Sequence, residues 1–426
     1  MRLPPRPLCP DVGVLSLVYH DWSPQWQTPH HVLTRLARYF NVVWVNPPHD
    51  WRHIGFHTRL SSTRESVASP SGFTVYVPEW WLPRFYRPPS LATFTSVQRL
   101  KRARRLLVSQ GCSKLILYLW HPQFAPALLS LPFDLTCYHI DDEYSFSTVE
   151  RRVDEAEATL IAAVDQVFIH SPALLEKKGA INPRTTFAPQ GVDYNAHATP
   201  VPQPADIAPI PRPRIGYSGV IKNQLDWPLL VHLASRHPEW SFVFVGAHAR
   251  HPEMMASVRD LSARSNVYFL GAKSTDELAA YPQHFDVCIM PYQLDDYTKY
   301  INPLKLHEYL ASGRPIVATP IRSLEEFPHV LSLARTYDDW SSEIANALSP
   351  LANAAERRAE RQAVARQHDW QLIVGELAKT MGRGLSQAVS ARIQQELDTV
   401  RTQLTCARES YDDQDVVSPA AARRPI

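Results

Sequence analysis

Short apolar runs alternate with amphipathic helical patterns along most of the chain. The continuous apolar runs at 12–19, 115–120 and 166–170 predict strands that are buried on both faces. Strands that alternate with helices in this way indicate parallel sheets built from βαβ units. The pattern therefore predicts an α/β protein with helices packed on its sheets.

A proline-rich stretch at 196–213 interrupts this alternation, and we expect it to form an extended linker. The strand–helix pattern restarts after it, so the chain is predicted to hold two α/β domains with a cleft between them. The expected organisation is an N-terminal Rossmann-like domain (1–195), the linker (196–213), a C-terminal Rossmann-like domain (214–365), a helix that crosses back to the first domain (366–384) and an amphipathic helix with a disordered tail (385–426).

The amphipathic helix of the last segment has a heptad-like apolar spacing at Ile393, Leu397, Val400 and Leu404. The repeat covers about two heptads, fewer than the three or four that indicate a coiled coil. Two interpretations remain open, namely a helix for a partner and a helix that packs on its own domain. We favour the second.

Composition narrows the class of protein. The chain has 426 residues, 45% hydrophobic and 20% charged, with a net charge of +2, which is typical of a globular protein of two domains and argues against nucleic acid as a partner. No apolar run reaches the ~18 residues that span a bilayer, and the basic start lacks a signal-peptide cleavage site. The five cysteines are scattered, so neither disulfides nor a zinc site is predicted. We expect a cytoplasmic protein.

The stretch 300–319 predicts a short helix between two buried strands. Asn302 is a suitable N-cap, and Pro303 suits the first helical position because its missing N–H has no helical partner there. Gly313 is expected to end the helix in the left-handed conformation.

Two charged residues lie near the start of this helix. Lys305 falls in the first turn, where the helix dipole disfavours a cation unless an anion is near. Glu308 lies three residues later and therefore projects from the same face. An anion at the helix start with a carboxylate one turn deeper fits a nucleoside diphosphate and its ribose. The alternative is a surface Lys–Glu pair on an ordinary helix.

The same stretch resembles the donor-binding motif of glycosyltransferases with the GT-B fold, in particular the retaining, nucleotide-sugar-dependent family four. The match comprises Pro303, Lys305, Glu308, Tyr309, Leu310, Ala311, Gly313, Pro315 and Val317. The stretch 190–193 also resembles the turn by which these enzymes leave the N-terminal domain. The resemblance implies two Rossmann-like domains facing across a cleft, sugar transfer with retention, and no cofactor or metal beside the nucleotide sugar.

The resemblance also implies roles for individual residues. Glu308 would accept the ribose hydroxyls, and Lys305 or the backbone at 302–304, including Leu304, would face the diphosphate. Lys222, which follows a turn at Gly219, is a second basic candidate, unless it is a solvated loop lysine. His121 follows a predicted strand and aligns with a histidine that touches the donor sugar, so we assign it with Glu308 to catalysis. Tyr300 occupies the position of a family glutamate, and the family's glycine-rich loop has no glycine here.

Four further residues are candidates for the acceptor side of the cleft. Asp141 and Asp142 follow a predicted strand and could bind acceptor hydroxyls, or they could simply favour a helix N-terminus. Trp22 and Trp26 could form a stacking wall for a sugar. The alternative, more common for tryptophan, is that they fill the domain core.

Aromatic residues lie beside a basic amphipathic helix in residues 80–107. This combination suits the surface of an anionic membrane, although a solvated helix face is equally compatible with it. If the membrane interpretation holds, a lipid-linked glycan is the expected acceptor, and the protein would be peripheral on the inner face of the membrane.

The sequence therefore predicts a glycosyltransferase that moves a sugar from a nucleotide-diphosphate donor to a glycan or lipid-linked glycan, as in the synthesis of cell-surface polysaccharides. Two alternatives remain. One is a nucleotide-sugar epimerase of the same fold, and the other is a nucleotide-binding or assembly protein without catalytic activity.

Overall fold

The computed structural model describes residues 6–23, 26–53, 71–145, 152–249 and 252–412. The N-terminal domain is built on a parallel sheet of seven strands in the order β3-β2-β1-β4-β5-β6-β7. This strand order reverses beside β1, which places a crevice at the carboxyl ends of the strands. The strands are β1 (Val12–Leu17), β2 (Asn41–Val45), β3 (Phe73–Tyr76), β4 (Lys114–Leu119), β5 (Leu135–Ile140), β6 (Gln166–Ile169) and β7 (Thr185–Phe187).

The C-terminal domain has a second parallel sheet, of six strands in the order β10-β9-β8-β11-β12-β13. The switch in order lies between β8 and β11, so the loops after these two strands are neighbours. The strands are β8 (Arg214–Ser218), β9 (Ser241–Val245), β10 (Val267–Phe269), β11 (Val287–Met290), β12 (Ile316–Ala318) and β13 (Ser332–Leu333).

Helices cover both sheets, and strands such as β1 are buried on both faces. The predicted α/β class with two Rossmann-like domains is confirmed.

Among the helices that the structure describes, none combines the length and the apolar character of a membrane span. The helices are α1 (Thr28–Leu36), α2 (Pro89–Ser109), α3 (Glu155–Ala163), α4 (Pro172–Lys178), α5 (Tyr194–Ala198), α6 (Trp227–Arg236), α7 (Pro252–Ser262), α8 (Thr275–Leu278), α9 (Lys305–Ser312), α10 (Tyr337–Ala347), α11 (Ala355–Gln367), α12 (Trp370–Leu385) and α13 (Gln387–Asp412).

The chain passes between the domains twice, and the two passages are hydrogen-bonded to each other. The N–H of Val192 donates to the carbonyl of His368 at 3.0 Å, and the N–H of Trp370 donates to the carbonyl of Val192 at 3.0 Å. A glycine is needed at position 191, because a Cβ on Gly191 would lie only 2.8 Å from the carbonyl oxygen of His368. After this crossing α12 packs against α1, with Trp370 in the N-terminal core. The C-terminal end of the chain thus becomes part of the first domain.

The last described helix, α13, packs along α12. Ile393 and Leu397 are fully buried, and Val400 is almost so. The structure therefore agrees with the preferred interpretation of the heptad-like spacing, in which this helix covers its own domain. The predicted disordered tail lies largely at 413–426, outside the described residues, while the helix itself runs to Asp412.

The proline-rich segment 196–213 is not simply extended. It begins in the last turn of α5 and then folds into turns, with Ile207 and Ile210 buried in the core of the C-terminal domain. Asp206 accepts a hydrogen bond from Lys273 at 2.7 Å. Burying these two isoleucines removes apolar surface from water, which stabilises the folded segment. This stabilisation exceeds the preference of a proline-rich segment for an extended conformation.

Candidate active site

The start of α9 lies at the carboxyl edge of the C-terminal sheet, but it differs from the prediction. The helix begins at Lys305, with Leu304 in the capping position, so Asn302 is not the N-cap and Pro303 is not the first helical residue. The side-chain amide of Asn302 instead donates to the carbonyl of His170 in the N-terminal domain. A contact between the domains has replaced the local capping bond, and local sequence does not reveal such a contact.

The end of α9 agrees with the prediction. Gly313 has φ of 73°, the left-handed conformation that a helix end often requires of glycine. Within the helix, the hydroxyl of Tyr309 accepts a hydrogen bond from the N–H of Ser218 at 2.8 Å. This bond ties α9 to the end of β8 and fixes the turn that follows.

That turn lies directly over the Lys305 side chain. Gly219 has φ of 122°, and a Cβ there would lie 3.3 Å from the Lys305 Nζ. The ammonium also lies 3.2 Å from the hydroxyl of Tyr292, which follows β11, and 5.0 Å from the centre of the Tyr217 ring. The fold thus brings together Gly219 and Lys305, which the sequence had assigned to one site, and adds two tyrosines that it had not.

Lys305 makes no salt bridge with any carboxylate in the described part of the chain. Burial raises the pKa of Tyr217 to about 12, so this phenol carries no charge at neutral pH and cannot serve as a counter-ion. Burial, followed by the positive charge of Lys305, lowers the pKa of Lys222, while Asp142 acts in the opposite direction. The two ammonium groups therefore lie near enough to repel each other, and only Lys222 is influenced by a carboxylate, that of Asp142.

Glu308 lies one turn further along α9 and is partly buried. Its carboxylate accepts no hydrogen bond from any residue that the structure describes. Burial raises the pKa of the Tyr217 phenol, and the Glu308 carboxylate is close enough to raise it further, so Glu308 and Lys305 both lie near the Tyr217 ring. The binding of a nucleotide at these residues stays a prediction.

The N-terminal domain carries the catalytic candidate His121 and the acceptor-side candidates. His121 follows β4, and its ring is stacked on Tyr19 with 4.9 Å between ring centres. Its Nδ1 accepts a hydrogen bond from the N–H of Gln123 at 3.1 Å. Burial, with the nearby charge of Arg84, lowers the pKa of His121 to about 4. The imidazole is therefore neutral at pH 7 and carries its proton on Nε2.

Asp141 and Asp142 follow β5 and make different contacts. Asp141 accepts a hydrogen bond from the hydroxyl of Tyr144, and burial raises the pKa of Asp141 to about 7. Asp142 is exposed and accepts a hydrogen bond at 3.1 Å from the hydroxyl of Tyr297 in the other domain. Asp142 therefore faces the other domain, where it already accepts a hydrogen bond from Tyr297, and the role of both carboxylates in binding an acceptor stays a prediction.

The two tryptophans lie in the N-terminal domain. Trp22 packs against Trp44 and Phe73, with ring centres 5.2 and 5.0 Å away. It is partly buried and lies against the hydrophobic core of the N-terminal domain. Trp26 is partly buried and lies 6.3 Å from the ring of His30. For Trp22 the structure supports the core-filling alternative over the stacking wall.

Tyr300 is not placed in the donor site, which corrects the prediction. Its side chain is 4% exposed and lies against α4 in the apolar cluster of the N-terminal domain. The ammonium groups of Lys177 and Lys299 lie 5.0 and 5.1 Å from its ring centre. Burial of the ring removes apolar surface from water, so Tyr300 forms a contact between the two domains.

Further contacts across the cleft were missed by the sequence analysis. Arg322, which follows β12, pairs with Glu176 of α4 at 2.7 Å, and Tyr297 pairs with Asp142. No local signal distinguishes these side chains from ordinary surface residues. Among the described residues, no group of three or more His, Cys, Asp or Glu side chains is arranged to hold a metal ion.

Comparison with known proteins gives three similarities. Residues 212–353, which include Lys305 and Glu308, match the family model described as glycosyl transferases group 1. TuaH of Bacillus subtilis (strain 168), whose name assigns it provisionally to teichuronic acid biosynthesis as a glycosyltransferase, is 29% identical over 171 residues. That alignment covers 39% of this chain and 43% of TuaH, so the chain matches less than half of this relative.

Solved structures provide the third similarity. An E. coli trehalose-6-phosphate structure bound with UDP-2-fluoro glucose has a TM-score of 0.59 at 12% identity, covering 86% of this chain and 98% of that chain. The alpha,alpha-trehalose 6-phosphate synthase of Burkholderia multivorans has a TM-score of 0.59 at 14% identity, covering 89% and 98%. At these identities the likeness shows the fold. Together the three similarities confirm the resemblance to glycosyltransferases of the GT-B type.

The burial of Tyr300 leads to a stability prediction. Replacing Tyr300 by Ala removes a buried ring at the contact between the domains and should lower the free energy of unfolding by about 3 kcal/mol or more. Tyr337→Ala, a matched change at a tyrosine that is 40% exposed, should cost less than about 1 kcal/mol. Denaturant titration of both variants measures the difference. Equal losses would show that Tyr300 is not a buried contact.

The raised pKa of Asp141 predicts how stability changes with pH. The folded protein keeps this proton up to a pKa of about 7, whereas an unfolded Asp releases it near pH ~4. Asp141 therefore stabilises the fold fully below pH ~4, and that contribution is lost as the pH rises through its folded pKa. As the pH rises from ~4 to the folded pKa of Asp141, the free energy of unfolding of Asp141→Asn should therefore increase relative to that of the parent. Above that pKa the difference between the two proteins should be constant.

The measurement is chemical denaturation of the parent and Asp141→Asn across this pH range. Asp338→Asn, at an exposed position in the first turn of α10, is the control and should show no such trend. A stability difference for Asp141→Asn that is independent of pH would contradict the buried, protonated carboxyl.

Proposed function

We propose that this protein is a glycosyltransferase that moves a sugar from a nucleotide-diphosphate donor to a glycan or lipid-linked glycan in the synthesis of a cell-surface polysaccharide. The observation that carries the proposal is the pair of neighbouring ammonium groups of Lys305 and Lys222, neither of which forms a salt bridge with another described residue. The match of residues 212–353 to group 1 glycosyl transferases and the similarity to TuaH support it.

The donor site would work by neutralising the leaving group. Two ammonium groups and the start of α9 surround the place where a diphosphate would lie, and they stabilise the negative charge that develops on it during transfer. Glu308 would accept hydrogen bonds from the ribose hydroxyls. The E. coli neighbour of the same fold is bound with UDP-2-fluoro glucose, which is a donor of this chemical class.

The opposite wall would orient the sugar and the acceptor. The Nε2–H of His121 is available to donate to a sugar hydroxyl, because the Gln123 N–H already occupies Nδ1. Asp141, with its pKa of about 7, would accept a hydrogen bond from an acceptor hydroxyl on the same side. Holding both substrates between these walls makes their reaction effectively unimolecular.

We further propose that transfer retains the configuration of the sugar and uses no metal ion. Retention follows from the resemblance to family four. Lys305 and Lys222 provide the positive charge that a metal ion supplies in other transferases. We also propose that the protein acts on the cytoplasmic face of a membrane, with no role for nucleic acid, because a lipid-linked acceptor would be presented there.

One observation favours a second candidate, a nucleotide-binding or assembly protein without catalytic activity. Tyr300 stands where the family has a sugar-binding glutamate, and it is buried in the other domain. In that case the donor would bind and no acceptor would be glycosylated. Turnover of a nucleotide sugar in the presence of cell-envelope acceptors separates the two candidates.

The site assignments predict changes in donor affinity. Lys305→Met and Glu308→Ala should each weaken binding of the nucleoside diphosphate by about 1.5–3 kcal/mol, the range for hydrogen bonds to charged groups. Isothermal calorimetry with the preferred nucleotide measures this. Lys273→Met is the matched control, because Lys273 is paired with Asp206 outside the cleft and should bind as the parent does. Unchanged affinity in Lys305→Met would remove the basis of the proposal.

A further inference from the structure

Large aromatic side chains are exposed on one part of the N-terminal domain. We call this surface the aromatic rim, and it consists of Trp51, Trp80, Trp81, Tyr86 and Phe94. Trp80 and Phe94 are 56% and 57% exposed, far more than large aromatic residues usually are. Within the part of the chain that the structure describes, no residue fully covers these rings.

Cation–π contacts connect some of the rim residues to arginines of the same surface. The guanidinium group of Arg52 lies 5.9 Å from the ring centre of Trp51 and 5.6 Å from that of Tyr86. The guanidinium group of Arg102 lies 4.6 Å from the Trp81 ring. Trp51 comes from the segment after β2, and the other rings come from the segment after β3 and from α2. The surface is therefore assembled by the fold and is not a property of one helix.

The charge of the rim is strongly positive. Residues 77–105 contain seven Lys or Arg and a single acid, Glu79, which is paired with Arg102 at 2.8 Å. Not all these cations face outward, because Arg99 donates to the carbonyls of Leu82 and Pro83. Lys101 and Arg105 are exposed and lie seven and eleven residues after Phe94, on the same face of α2. Aromatic rings and free cations therefore share one surface.

The rim is also connected to the cleft. Arg84, whose guanidinium lies 5.1 Å from the Tyr86 ring centre, donates to the side chain of Gln123 at 3.2 Å. The N–H of Gln123 in turn donates to His121. The segments after β2, β3 and β4 all lie at the carboxyl edge of the sheet, which borders the cleft. A molecule held at the rim is thus beside the acceptor wall.

We propose that the aromatic rim docks the protein on the surface of an anionic lipid bilayer and delivers a lipid-linked acceptor to the cleft beside His121. Tryptophan and tyrosine favour the interface between headgroups and acyl chains, and lysine and arginine are attracted to anionic lipids. A soluble glycan would need neither feature. The docking stands on the rim alone, whereas the delivery of an acceptor rests on the proposed function.

Vesicle binding by the 426-residue chain tests the docking. The parent should sediment with vesicles of equal parts phosphatidylcholine and phosphatidylglycerol. The double variant Trp80→Ser with Phe94→Ser should bind them at least about tenfold more weakly, because it removes two large apolar side chains from the contact. The triple variant Arg87→Gln, Lys101→Gln and Arg105→Gln should lose binding to the anionic vesicles and not change the weak binding to phosphatidylcholine alone.

The matched control is Leu129→Ser with Leu351→Ser, which removes two apolar side chains that are 95% and 76% exposed outside the rim. It should bind vesicles as the parent does. Equal binding by the rim variant and the parent, or an equal loss in the control, would overturn the proposal, and the rim would then be a surface for another protein. Nucleotide affinity of the rim variant, measured by calorimetry, should not change, so a failure of docking is distinguishable from a failure of the donor site.

Discussion

The candidate site depends on one close approach, that of the Lys305 ammonium to the glycine turn after β8. Gly219 permits this approach because any Cβ would lie 3.3 Å from the Lys305 Nζ. Tyr309 holds the end of β8 in place through the Ser218 N–H. Burial raises the pKa of the neighbouring Tyr217 to about 12, so this phenol does not neutralise the ammonium. A cation held this way among uncharged groups is unfavourable by itself and becomes favourable when an anion binds.

The second constraint is the way in which the two domains are held together. The backbone bonds between Val192 and the segment around His368 join the two passages of the chain, and α12 and α13 then complete the first domain. The buried Tyr300 and the pair of Arg322 with Glu176 add further contacts between the two domains. These contacts set the distance between the lysine wall and the wall of His121, and a nucleotide sugar would have to fit between them.

The sequence predicted the features that depend on local pattern. The alternation of strands and helices, the left-handed end of α9 at Gly313 and the packing of α13 follow from residue spacing and conformational preference. The sequence-based prediction was wrong for residues whose side chains contact the other domain. Asn302 has a good capping side chain, but its amide bonds to His170, and Tyr300 is buried by a helix that is more than a hundred residues away in sequence. Such long-range contacts carry no local signature, and Tyr297 and Arg322 were missed for the same reason.

Lys305 and Lys222 are proposed to form a site for the diphosphate of a nucleotide. The most direct measurement is a thermal-shift screen of the intact protein against UDP, GDP, ADP and TDP, repeated with Lys305→Met. We expect one nucleotide to raise the midpoint of unfolding, since a ligand at a hundred times its dissociation constant adds about 2.7 kcal/mol of stability, and we expect Lys305→Met to abolish the shift. No shift with any nucleotide, or the same shift in the variant, would contradict the claim.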